Sequence, residues 1–193
     1  MVNIVNIAIG VCGFLIIHLF DFVSLKRIPV AKPLVWILGS SLLVHSLVSV
    51  SFTPDKPIVL MWSTLLGWIL LITSLILLIH SLFVSLPFRK TYIATGVSDR
   101  LKTTGLYALV RHPGVICFSL FMLSLILVSS SSLILIAAPI FILLDIVLVV
   151  VQDKFFFGRM FNGYGIYRQK TPMLVPNLQS INNFINSLRQ DEA

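Results

Sequence analysis

Arg111, His112 and Pro113 stand together at the start of an apolar run, in the stretch GLYALVRHPGV (residues 105–115). Charge is costly beside hydrocarbon, and proline removes a backbone donor. The plain reading is a basic helix start at a membrane interface, with Pro113 at the first helical position and Arg111 snorkelling to water. The chemical reading sets Arg111 and His112 at a helix N-terminus, beside free backbone N–H groups suited to an anion.

The second candidate is Asp145, which lies six residues inside the end of another apolar run. Helical rise places it roughly 9 Å deep, so it must face other helices and not lipid. It either lines a cavity or pairs with a neighbouring helix. On a continuous helix it shares a stripe with Leu148, Val149, Gln152 and Asp153. His18, His45 and His80 also lie in apolar runs and read as structural hydrogen-bonding groups, with Asp21 three residues after His18 on the same face. No His, Cys or acidic residues have the spacing of a metal site, and Cys12 and Cys117 suggest no disulfide framework. There is no Gly-rich phosphate loop. The GYG at 163–165 lies outside the apolar runs and without a pore helix, so it is not read as an ion filter.

The elements that must position these residues are membrane helices. The 193-residue chain is 58% hydrophobic and only 11% charged, where a soluble domain carries about 25% charge. A span needs about 20 apolar residues, and five runs qualify, at about 3–25, 33–52, 58–86, 114–129 and 132–151. The expected fold is a single all-α membrane domain (1–193), its fourth and fifth spans a tight antiparallel hairpin. The first run is expected to be a retained helix and not a cleaved leader.

Lys26, Arg27, Lys32, Arg89, Lys90, Arg100, Lys102, Arg111, Lys154, Arg159, Arg168, Lys170 and Arg189 all fall on one side of a five-span bundle, and only Lys56 on the other. Basic loops mark the cytoplasmic face, so the N-terminus is expected outside and the C-terminus inside. The same asymmetry accounts for the net charge of +7 without invoking nucleic acid. After the last span, aromatics from Phe155 to Tyr167 interleave with Arg159, Arg168 and Lys170, a pattern expected of an amphipathic segment (152–176) at the membrane surface. Pro172 and Pro176 stop its helix. The tail, 177–193, reads as a weak or frayed helix.

In order, TTGLYALVRHPG, a two-helix hairpin, Gln152-Asp153, an aromatic-basic stretch and YRQKTPMLVPN resemble the integral membrane methyltransferases that include isoprenylcysteine carboxyl methyltransferase and the phospholipid methyltransferases. The resemblance covers about residues 67–177 and implies an S-adenosylmethionine cofactor on the cytoplasmic side. It carries the Arg-His-Pro element onto Arg111, His112 and Pro113. The upstream Gly-x-Tyr falls on Gly105 and Tyr107, the paired acids on Gln152 and Asp153, and the later tyrosines on Tyr164 and Tyr167. The chain departs from the pattern at Val115, Cys117, Met160 and Phe161, and keeps one carboxylate of the acid pair.

On that resemblance, Arg111 would clamp the cofactor carboxylate. His112 would donate to it or to adenine, and Asp153 or Asp145 would balance its positive charges. Tyr107, Tyr164 and Tyr167 would stack or make cation–π contacts. A carboxylate acceptor needs no base. An amine or thiol would need one, from Asp145, Asp153 or His80. The expected function is methylation of a lipophilic acceptor entering from the bilayer: a prenylated cysteine carboxylate, a phospholipid amine or a small thiol. Two alternatives stay open: a degenerate methyltransferase-like membrane binding protein, and an NADPH-dependent enzyme like the sterol reductases.

Overall fold

A computed structural model describes residues 2–28, 30–53, 61–94, 101–129 and 131–191. Lys56, Arg100 and the start of the third expected span lie outside the described residues. The described chain is all-helical, with no strand. Its long helices are α1 (Val2–Lys26), α2 (Ala31–Ser51), α3 (Met61–Ile79), α5 (Pro113–Val128) and α6 (Leu133–Val151), with α4 (Leu106–Leu109) a single turn before α5. Among the described residues, four stretches are long and apolar enough to cross a bilayer: Ile4–Lys26, Ala31–Ser51, Ser63–Val84 and Leu133–Met160. Helix α5 is also apolar but shorter, its 16 residues rising about 24 Å against a hydrocarbon thickness of about 30 Å.

Helix α6 is the centre of the bundle. Ile134, Ala137, Ala138 and Phe141 are fully buried, and Phe14 of α1 packs between Phe141 and Phe118 of α5. Small residues let α1 and α2 approach closely. A Cβ on Gly13 would stand 2.9 Å from the Gly39 carbonyl oxygen, and one on Gly39 would stand 2.7 Å from Ile17 Cγ1. Ser46 then donates across the same seam to the Asn6 carbonyl at 2.6 Å.

Three π-helical turns, His80–Val84, Arg89–Ile93 and Gln152–Phe156, sit where the long helices meet the polar segments. The last carries the end of α6 beyond the expected limit at 151, through α7 (Phe157–Met160). Inserting a π turn rotates the residues beyond it, and the stripe expected to unite Asp145 with Gln152 and Asp153 reaches that turn at its first two residues. Two short elements complete the polar end: α8 (Tyr164–Lys170) and α9 (Leu178–Asp191).

The tail holds a docked helix over 178–191, the helical of the two forms expected of it. Its start is a reciprocal cap: Asn177 Oδ1 accepts from the Ser180 N–H at 2.8 Å, and Ser180 Oγ accepts from the Asn177 N–H at 3.0 Å. Such a cap satisfies helix donors that have no intrahelical partner.

Candidate functional site

Arg111 and Asp153 are the centre of the polar end. The Arg111 guanidinium grips the Asp153 carboxylate with two bonds, Nε to Oδ1 at 2.9 Å and Nη2 to Oδ2 at 3.1 Å. Its Nη1 donates to the carbonyls of Arg168 at 2.9 Å and Thr171 at 2.7 Å. Both partners are buried, at 9% and 6% exposure. This is the bidentate geometry that a planar guanidinium favours. The Tyr164 hydroxyl also donates to Asp153 Oδ1, and the half-exposed Arg168 side chain approaches Oδ2 at 3.6 Å.

The backbone repeats the connection. The N–H of Arg111 donates to the Pro172 carbonyl at 2.9 Å, and that of His112 to the Met173 carbonyl at 3.2 Å. These two bonds and the two carbonyls on Nη1 dock the segment TPM (171–173) against the turn before α5. Residues sixty positions apart thus form one unit, and the turn's N–H groups are satisfied by carbonyls. Pro113 occupies the first turn of α5, as its spacing predicts. Gly105 adopts φ +60° ahead of α4, and Gly163 adopts φ +80° as the cap of α8. Both are conformations that glycine takes most readily.

The fork expected to clamp a ligand is thus turned onto Asp153. The tyrosines are committed inward as well. Tyr107 donates to the Ser81 carbonyl at 3.1 Å, and Tyr167 donates to the Tyr107 carbonyl at 2.6 Å. Burial pushes the Tyr107 phenol up to about 12 and raises Tyr167 further. Burial and the bond to Asp153 likewise raise Tyr164. All three stay neutral donors at ordinary pH. His112 stacks on Phe157 at 5.6 Å, and its buried Nε2, 3.5 Å from Asp153 Oδ1, makes no hydrogen bond.

Gln152 and Asp153 do not act as a pair. Gln152 Nε2 donates to Asp21 Oδ2 of α1 at 2.8 Å, away from Arg111. Beside it, Lys32 is 2% exposed in the first turn of α2, not in a loop as expected. Its ammonium donates to the carbonyls of Lys90 and Ala94 at 3.2 and 3.1 Å. Sequence alone did not join Asp21 to Gln152, because the partners are 131 positions apart and Asp21 sits in no motif. His18 and His80 hold the local structural bonds expected of them, to the Phe14 carbonyl and Ser85 Oγ. Asp145 has no hydrogen bond or ion pair among the described residues.

An open cavity of about 670 Å³ lies against this unit, between the 101–108 segment, α8 and α9. Tyr167 and Thr171 line it and also belong to the Arg111–Asp153 unit. Thr103, Asn162, Lys170 and Asn183 supply polar groups, and no carboxylate is among the described lining residues. Among the described residues no His, Cys or acidic cluster could hold a metal.

A family model described as a protein of unknown function (DUF1295) matches residues 25–153, more than half of the chain. The matched region includes the Arg111 turn and ends on Asp153. No curated protein and no solved structure matches the chain.

Proposed function

The chain belongs to the DUF1295 family, and we propose that it is an S-adenosylmethionine-dependent membrane methyltransferase acting on a lipophilic acceptor. One observation carries the reading. The two motifs that resemble the membrane methyltransferases, around Arg111 and over 164–176, are bonded to each other beside a cavity of about 670 Å³. That volume lies within the range of about 300–1,000 Å³ common for cofactor and small-molecule sites.

The residues present fit the cofactor in part. Tyr167, Thr103, Asn162 and Asn183 offer an aromatic face, hydroxyls and amides on the lining. Bound S-adenosylmethionine supplies an electrophilic methyl group, which is the hard part of the chemistry. The protein's share is position. Arg111 and Asp153 neutralise one another and fix the turn that carries His112, while Tyr167 holds the cavity wall to the Tyr107 carbonyl. Asp145, unpartnered within α6, is the candidate base for an amine or thiol acceptor. A prenylated cysteine carboxylate would need none.

The proposed topology has five crossings, α5 included, with the N-terminus outside and the cavity on the cytoplasmic face, as the basic residues indicate. Cysteines at 55 and 95 of a cysteine-free chain should label from opposite sides of intact membranes. Labelling from one side would remove the five-crossing arrangement.

A second reading draws on the lining itself. Lys170 contributes a cation and no acid is among the described lining residues, which suits an anionic nicotinamide cofactor better than a cationic sulfonium. Equilibrium binding of labelled S-adenosylmethionine to detergent-purified protein, with NADPH as competitor, separates the readings. Saturable binding that NADPH does not displace supports the methyltransferase. NADPH binding alone would replace it with the reductase, and binding of neither would leave the degenerate binding protein.

A further inference from the structure

Helix α9 forms one wall of the cavity with Asn183, Asn186 and Ser187. Its contact face carries small polar residues beside the partly buried Phe184. Ser180 and Ser187 are buried, and Ser187 Oγ accepts from the Gly105 N–H at 3.0 Å, next to α4. A helix normally turns its large aliphatic side chains toward the protein. Here the reverse holds. Leu178, Ile181, Ile185 and Leu188 are 83%, 39%, 42% and 46% exposed, and their spacing puts them on one outward stripe.

What covers that stripe follows from where α9 sits. It packs on α4, which leads through Val110 and Arg111 directly into the apolar helix α5. The chain crosses a bilayer, so this end of the bundle is at a lipid surface. The long apolar helices show the same exposure where lipid must cover them, as at Leu65, Ile69, Ile72 and Ile76 of α3. An exposed cation, Arg189, lies on the same helix. Apolar side chains on one face, with a cation on the same helix, suit a position in the plane of an anionic leaflet.

We propose that α9 is an in-plane membrane-surface helix. Its aliphatic stripe is sunk at the acyl boundary of the bilayer that the chain itself spans, and its opposite face walls the cavity. The cavity then opens at the lipid surface, within reach of a ligand that arrives in the membrane. This placement does not depend on which cofactor the cavity takes.

The test uses the full chain in nanodiscs that contain anionic phosphatidylglycerol. Cys12→Ala and Cys117→Ala provide the background. Single spin labels enter by Ile181→Cys, Ile185→Cys, Leu188→Cys, Asn182→Cys and Arg189→Cys. Labels at 181, 185 and 188 should collide several-fold more with oxygen, which concentrates in lipid, than with a water-soluble nickel chelate. Labels at 182 and 189 should show the opposite preference. Chelate access at all five positions would overturn the proposal, because the stripe would be in water. Shielding of 181, 185 and 188 from both reagents would overturn it as well, because protein, such as a second copy of the chain, would then cover the stripe.

Discussion

Two neighbouring polar side chains, one buried and one partly buried, do different work. Asp153 is held by the fork of Arg111, by Tyr164 and at longer range by Arg168, and this unit ties the turn before α5 to the chain after α8. Gln152 faces the other way, onto Asp21 of α1 near the buried Lys32 at the start of α2. The first group joins the two conspicuous motifs. The second joins the first two helices, which carry no motif, to the helix at the centre of the bundle. Neighbouring side chains on a helix point about 100° apart, and these two open the π turn at 152–156. The lesson concerns the acid pair: the amide at position 152 does not mark a charge lost from the cavity side, because that side chain is committed to α1.

The contrast can be broken most severely at Arg111. Removing one partner of a buried ion pair costs about 3–5 kcal/mol, so Arg111→Ala should unfold in detergent far below the parent temperature. A near-parent melting temperature would show that the pair contributes little. Tyr164→Phe removes one donor to an ionised carboxylate, worth about 1.5–3 kcal/mol, and should lower stability by less than the Arg111 change.

Gln152→Glu sets a second carboxylate against Asp21 and deletes the donor between them. The expected loss is about 1–3 kcal/mol. Adding Asp21→Asn should restore most of it, since the amide and the carboxylate would have exchanged places. A double variant no better than the single one would sever Gln152 from Asp21. The smallest effect is expected for Tyr167→Phe, which loses one neutral bond of about 0.5–1.5 kcal/mol and leaves the Arg111–Asp153 pair intact.

Much of this was legible in the residues. Uninterrupted apolar runs of about twenty announced the long helices, and Pro113 announced the start of α5. The order of Arg111, Asp153, Tyr164 and Pro172 indicated that the two polar segments belong together. The sequence did not reveal that Arg111 satisfies Asp153 directly, because the same residues could equally have faced a ligand. Gln152 was misleading because it was paired with its neighbour Asp153, whereas its partner is Asp21 of α1, far away in sequence. Helix α9 was underestimated although Asn177 and Ser180 have cap spacing. Its aliphatic residues lie on the side away from the bundle, so the usual link between an apolar stripe and a packed core gave no support.

The central claim is that the cavity beside the Arg111–Asp153 unit holds the cofactor. Asn183→Phe tests it most directly, since it fills the cavity from α9 and touches neither Arg111 nor Asp153. Labelled S-adenosylmethionine should bind the parent saturably, and the variant should bind at least tenfold more weakly, about 1.4 kcal/mol, with an unchanged melting temperature. Undiminished binding by a well-folded Asn183→Phe protein would contradict the account and place the cofactor elsewhere.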